Sequence, residues 1–127
     1  MLFRSFGNAY GTVMEKSKKS VRSQFRTAVF TRDKLRCRCC GVAGSDRQSL
    51  EGGQLPTALD AHHITDRHEM PNGGYVKENG ITVCNECHIK CEEFWRTGVA
   101  IEGFSPEDLY NKIGSSKEIA ILASEKL

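Results

Sequence analysis

The chain has 127 residues, 39% of them hydrophobic and 27% charged, which is typical of one globular domain. No stretch approaches the ~18 apolar residues of a membrane span and no secretory-type apolar run opens the chain, so a membrane protein is excluded and a cytoplasmic location is predicted. The net charge is only +2, but residues 1–50 carry 11 Lys and Arg against 3 Asp and Glu, whereas residues 51–127 carry 7 against 13. This asymmetry indicates a polyanionic partner such as a nucleic acid, although a charge run is also compatible with a merely solvated surface.

The first predicted element is a basic tail over residues 1–19, which we expect to be weakly ordered. Ser20 is the expected N-cap of a helix through Thr31. The helix would bury an apolar stripe at helical spacing, which consists of Val21, Phe25, Ala28 and Val29. Lys18, Arg22 and Arg26 form a separate basic row at four-residue spacing. This row could contact a phosphate backbone or could simply be solvated.

The central part of the chain predicts a small α+β arrangement. A tight turn spans residues 37–41, residues 41–56 form a loop, and residues 58–65 form a strand that contains the adjacent His62 and His63. Turn signals at residues 71–74 and 79–80 precede a short apolar strand over residues 81–83. Cys84 then opens a helix that ends near Gly98, a typical C-cap.

Two short helices are predicted after residue 100. Ser105 and Pro106 begin the first, which should run to about Ile113. Ser115 or Ser116 caps the second, whose expected apolar face consists of Ile119, Ala120, Leu122 and Ala123.

Four of the six cysteines form two Cys-x-x-Cys pairs, at positions 37/40 and 84/87. Because two intervening residues let both sulfurs point at one ion, two such pairs predict the four-sulfur shell of a structural zinc. In a reducing compartment this is favoured over disulfides. Cys39 and Cys91 are expected to be buried thiols, although either could replace a neighbour as ligand.

A second constellation combines His62, His63, Asn79 and His88. Successive side chains of a strand point to opposite faces, so the two adjacent histidines can serve different functions. One can bind a metal while the other reaches a water. His88 directly follows the last zinc cysteine, so zinc would fix its position.

These motifs together resemble the HNH endonuclease family over residues 26–91. The matching elements are the segment around Val29-Phe30 and Arg32-Asp33, Cys37-x-x-Cys40-Gly41, the stretch Leu59 to Ile64, the stretch Asn79 to Cys84, and Cys87-His88. The resemblance implies a ββα-metal (His-Me finger) core with a structural zinc held by four cysteines, flanked by N-terminal and C-terminal helices. The nuclease domain would span residues 20–100, and residues 101–127 would form a C-terminal helical extension.

The resemblance also implies roles for single residues. His63 would be the general base, Asn79 would orient the loop that carries it, and His62 and His88 would hold a divalent cation; exchange of the two adjacent histidines stays open. Many relatives have Asp where His62 stands. Two imidazole ligands favour Mn²⁺, Ni²⁺ or Co²⁺ at least as much as Mg²⁺, and Asp60 is a candidate partner on the same strand face.

DNA contacts are expected mainly from the basic half of the chain and give little sequence specificity, because phosphates carry no sequence information. The candidate residues are Lys18, Lys19, Arg22, Arg26, Arg32, Arg36, Arg38 and Arg67. We expect a nicking enzyme that is a monomer or a weak homodimer. The alternatives are a non-catalytic zinc-ribbon module that binds nucleic acid, and a redox or metal-storage protein.

Overall fold

The computed structural model describes residues 17–50 and 57–127, so most of the predicted tail and the end of the predicted loop lie outside the described residues. The described part contains four α-helices and one three-stranded sheet. In chain order the elements are α1 (Lys18–Asp33), β1 (Ser45–Asp46), β2 (Ala58–His63), β3 (Gly80–Cys84), α2 (Asn85–Thr97), α3 (Pro106–Lys112) and α4 (Lys117–Glu125).

Helix α1 begins earlier than predicted. Ser17, and not Ser20, is the N-cap, because its side-chain oxygen accepts the Ser20 backbone N–H at 3.0 Å. Lys18 and Lys19 therefore belong to the helix. The predicted apolar stripe is confirmed in part: Phe25 and Val29 are buried and the helix packs against the sheet, whereas Val21 and Ala28 are half-buried.

The sheet has the order β1-β2-β3, in which β1 runs parallel to β2 and β2 runs antiparallel to β3. In the antiparallel pair His62 lies opposite Ile81, and His63 lies opposite Gly80. Every residue of β3 is buried, since α1 and α2 both pack against it. The unit β2-β3-α2 has the order of the ββα core, and the small α+β fold class is confirmed.

Helix α2 ends at Gly98, which adopts φ 81° as the predicted left-handed C-cap. Helix α3 begins with the predicted Ser105, whose side chain and that of Asp108 cap each other's backbone N–H groups. Ser116 is the N-cap of α4.

The predicted apolar face of α4 is wrong in part. Ile119 and Leu122 are 48% and 61% exposed, whereas Ala120 and Ser124 are fully buried. The helix packs on the turns at residues 71–74 and 77–79, and Asn72 Nδ2 donates to the Ser124 carbonyl at 3.0 Å. Besides these two small residues, Ile121 packs against the core, whereas Ile119 and Leu122 point away from it. Within the described residues, no helix is long and apolar enough to cross a membrane.

Candidate zinc site and histidine cavity

The two Cys-x-x-Cys pairs converge on one point. The four sulfur atoms of Cys37, Cys40, Cys84 and Cys87 all lie within 4.8 Å of one another, and those of Cys40 and Cys84 are 3.7 Å apart. Four sulfurs at about 2.3 Å from a tetrahedral zinc would be roughly 3.8 Å apart. The geometry therefore fits a structural zinc ion.

Backbone hydrogen bonds favour a thiolate at one of these cysteines. Burial raises the pKa of Cys37, but hydrogen bonds from the backbone of Cys40, Cys84 and Cys39 outweigh it and lower the pKa to about 7. A thiolate is the form that binds zinc.

The two remaining cysteines stand outside this cluster, as expected. The Cys39 thiol meets that of Cys91, and this contact together with burial raises the pKa of Cys39. Cys91 is a buried member of the core, and Cys39 packs against it. Both behave as small apolar side chains.

His63 is held in an aromatic cage on one side of β2. Its ring stacks on Phe25 with centroids 4.5 Å apart and meets the edge of Tyr75 at 4.8 Å. Gly80, its partner across the sheet, is needed here because a Cβ at that position would come within 2.7 Å of the Phe25 ring. The cage sets the ring orientation of His63.

His62 and His88 meet on the side of β2 that faces α2. Their ring centroids are 5.1 Å apart, and Trp95 covers His62 at 4.9 Å. Burial lowers the pKa of His62 to about 3, with a smaller effect of His88. His62 is therefore neutral at pH 7, the form in which imidazole binds a metal.

Two carboxylates flank His88, and the sequence reasoning named only the first. Asp60 Oδ2 lies 3.4 Å from His88 Nδ1, and Glu92 Oε2 lies 3.4 Å from His88 Nε2. Arg47 also binds Asp60 at 2.9 Å, and the resulting hydrogen bonds and charge outweigh burial and lower the pKa of Asp60. Glu92 follows His88 by four residues, a helical spacing that could have revealed it.

Asn79 is fully buried below the segment that follows His63. Its Oδ1 accepts hydrogen bonds from the Thr65 N–H at 3.0 Å and the Tyr110 hydroxyl at 2.7 Å. Its Nδ2 donates to the carbonyls of Thr65 at 3.1 Å and Gly74 at 3.2 Å. Each of these four side-chain hydrogen bonds therefore links Asn79 to another segment of the chain.

A cavity of about 270 Å³ brings together His63 and His88, which sequence reasoning assigned to one site. Asp60, Arg22 and Tyr75 also line this cavity. His62 lies buried behind His88 and is not among the lining residues. We call this space the histidine cavity.

The basic residues predicted to contact DNA fall into two groups. Lys18, Arg22, Arg26 and Arg67 line the histidine cavity or the space beside it, and Lys19 is exposed on α1 without lining either. Arg26 binds Asp46 at 2.9 Å. A separate groove beside Cys37 contains the second group, Arg32, Arg36 and Arg38.

Within the second group, Arg32 and Arg38 are tied to the protein by a residue to which sequence analysis gave no role of its own. Asp33 is buried and binds Arg32 and Arg38, each at 2.7 Å. Arg32 also donates to the carbonyls of Lys77 and Gly80. Both guanidinium groups thus have structural partners.

Comparison with known proteins gives one family. Residues 37–93 match the model of the HNH endonuclease family, which confirms the resemblance predicted from the motifs. The matched segment contains the four converging cysteines and all three histidines discussed above. No curated protein and no solved structure matches the chain significantly.

Proposed function

We propose that this chain is a metal-dependent DNA endonuclease that hydrolyses a phosphodiester bond with His63 as general base. The observation that carries the proposal is that a caged His63 and His88 line the same open cavity. This shared cavity lets a water and a phosphate lie between a proton acceptor and a metal-binding wall.

The environment of His63 keeps its ring in the neutral form that a base requires. Burial and, to a smaller extent, the nearby charge of Arg67 lower its pKa to about 4, and Asp66 opposes this in part. Its buried Nε2 has no hydrogen-bond partner among the described residues, and burial disfavours the doubly protonated imidazolium. His63 is therefore neutral at pH 7 and, in the tautomer that carries its proton on Nε2, can take a proton from water at Nδ1.

The donor types beside this base suit a divalent cation, but among the described residues only the four cysteines have ligand atoms that already converge. His62 and His88 would hold the ion, and the adjacent Asp60 carboxylate would complete or orient the set. When bound, such an ion relieves charge on the phosphate and on the leaving oxygen. Mixed nitrogen and oxygen donors keep Mn²⁺ as the favoured metal, with Mg²⁺, Ni²⁺ or Co²⁺ as alternatives.

Asn79 would act as a positioning residue. Its four hydrogen bonds tie the segment after His63 to the turn at Gly74 and to α3. It would hold the strand end that carries the base and need not touch the substrate. We expect nicking with low sequence specificity, since phosphate contacts from the basic residues around the cavity carry no sequence information.

A plasmid assay tests the proposal. The full chain with Mn²⁺ should convert supercoiled DNA to the nicked form, and His63→Ala should reduce the rate by about 10²–10⁴-fold while leaving DNA binding intact. His68→Ala is the matched control, because the His68 side chain is 75% exposed and should be dispensable. Wild-type protein that shifts DNA but leaves it intact would instead support a non-catalytic zinc-ribbon module.

A further inference from the structure

A second cavity of about 370 Å³ adjoins the histidine cavity. The two cavities share Arg22 and Tyr75 as a common wall. Of the described residues that line the second cavity, three are cationic and none is acidic; the lining consists of Lys18, Val21, Arg22, Arg67, Asn72 and Tyr75. We call this space the basic cavity. Its charge makes it suited to an anion.

The turn before Tyr75 fixes the position of the phenol ring. Asn72 and Gly73 both adopt positive φ, 52° and 82°. A Cβ on Gly73 would come within 2.7 Å of the Tyr75 ring, so glycine permits both the turn and the approach of the ring. The ring then meets Phe25 edge-on at 5.8 Å and His63 at 4.8 Å. Tyr75 is thus a fixed partition between the two cavities.

The hydroxyl of Tyr75 lies in a strongly basic environment. Arg67 Nη1 donates to Tyr75 Oη at 3.4 Å. Burial raises the pKa of Tyr75, but hydrogen bonds from Arg67 and Arg22 outweigh it, so the pKa lies below its ordinary value. By contrast, Arg26 on the other side of the wall is already paired with Asp46. Arg67 also interacts with the charge of Asp66, but no carboxylate is among the described residues that line this cavity. Arg67 and Arg22 thus keep guanidinium N–H groups that can bind an external anion.

We infer that the basic cavity binds a DNA phosphate next to the one attacked beside His63, with Arg67, Arg22 and the Tyr75 hydroxyl as its donors. Planar guanidinium groups bind phosphate through paired, charge-assisted hydrogen bonds, and consecutive phosphates of one strand can occupy two cavities that share a wall. This inference rests on the proposed function, because it takes the histidine cavity as the place of cleavage. Tyr75 is a positioning residue that serves both sites.

The first test is the salt dependence of DNA binding by the full chain. All variants carry His63→Ala so that the DNA stays intact, and fluorescence anisotropy reports binding to a labelled duplex of about 20 base pairs, which spans roughly two helical turns. Loss of one phosphate contact in Arg67→Ala should reduce the slope of log K against log salt by about 0.9. Tyr75→Phe keeps the ring but loses a neutral donor, so binding should weaken about 3–10-fold at an unchanged slope.

Arg96→Ala is the matched control, since its side chain is 71% exposed, pairs with Glu93 and lines neither cavity. It removes the same charge and should leave the slope unchanged. Equal slopes for Arg67→Ala and Arg96→Ala would overturn the inference.

The second test addresses adjacency and separates this inference from the proposed function. The substrate is a duplex in which the position of the nick has been mapped, with one neutral methylphosphonate placed on either side of that position. On one side only, the methylphosphonate should slow cleavage by the wild-type enzyme roughly 10-fold, as expected for one lost charge-assisted contact. It should slow cleavage by Arg67→Ala much less. Equal slowing of both proteins would refute adjacency. If wild-type protein never nicks DNA but Arg67→Ala still lowers the slope, the proposed function fails and the phosphate site stands.

Discussion

Replacing Asp33 with Asn should destabilise the protein by about 3–4 kcal/mol, because this carboxylate is the centre of a buried ion cluster. Asp33 Oδ1 accepts from Arg32 Nε and Arg38 Nη1, both at 2.7 Å. Oδ2 accepts from Arg32 Nη2 at 2.8 Å and from the Thr82 N–H at 3.0 Å. The cluster therefore joins the end of α1 to β3 and to the turn that carries the first zinc cysteines.

The magnitude follows from the bonds that Asn cannot make. An amide NH₂ in place of Oδ2 would face two donors, so two hydrogen bonds are lost, at about 1.5–3 kcal/mol for bonds to a charged group. Breaking a buried ion cluster by removing one partner costs about 3–5 kcal/mol. The lower half of that range is expected here, because the Arg32 and Arg38 side chains are 22% and 34% exposed.

Thermal unfolding of the zinc-loaded full chain, followed by circular dichroism, measures this effect. For a domain of this size, the loss corresponds to a decrease in Tm of roughly 10–20 °C. Glu125→Gln, which removes an exposed charge at the end of α4, should change Tm by no more than about 2 °C. A small change in Tm for Asp33→Asn, together with tighter DNA binding, would refute the structural role of Arg32 and Arg38. These two residues would then be candidates for contacting DNA.

Acidification tests the same carboxylate. Burial raises the pKa of Asp33, but hydrogen bonds from Arg32, Thr82 and Arg38 outweigh it and hold the pKa below 3.8. A lowered pKa contributes stability that is present above pH 3.8 and is lost as the pH falls through the folded-state value. The stability of Asp33→Asn should therefore depend less on pH in this acidic range than that of wild type.

Three further outcomes are expected. Cys84→Ser, or a chelator strong enough to remove zinc, should abolish far-UV circular dichroism of the fold, since zinc binding contributes about 10–16 kcal/mol and whole domains have only about 5–15; a folded, zinc-free protein would contradict this. Asn79→Ala should lower the free energy of unfolding by about 3–5 kcal/mol in urea melts, because it leaves three buried backbone groups unsatisfied and removes one of the two hydrogen bonds of the Tyr110 hydroxyl, whereas Tyr110→Phe should cost only about 1 kcal/mol. The pKa of His63 is lowered to about 4, so protonation of this histidine in the unfolded chain decreases the free energy of unfolding as the pH falls from about 6.5 toward 4. Between about pH 7 and 5 this decrease should be about 1–2 kcal/mol. It should be absent in His63→Ala and present in His68→Ala.

Much of the local structure and the zinc site could be predicted because their rules act over a few residues. Cys-x-x-Cys spacing sets the directions of two sulfurs whatever the rest of the fold does. The caps at Ser105 and Gly98 likewise depend on the nearest turn of helix. The missed cap at Ser17 shows the limit of this rule, since Ser17 and Ser20 are equally good caps as residues, and the residue type alone does not say which of them precedes the first turn of the helix.

By itself, the sequence determined which residues are chemically able to hold zinc, accept a proton and bind phosphate. Only the tertiary structure decided which of them are available, because neutralisation and exposure depend on partners far apart in the chain. Asp33 accepts hydrogen bonds from Arg38 and from the Thr82 N–H in the folded chain. It thereby pairs with a positive charge that the sequence alone assigned to DNA binding. The same packing brings Tyr75 against His63, a contact that no local sequence pattern predicts.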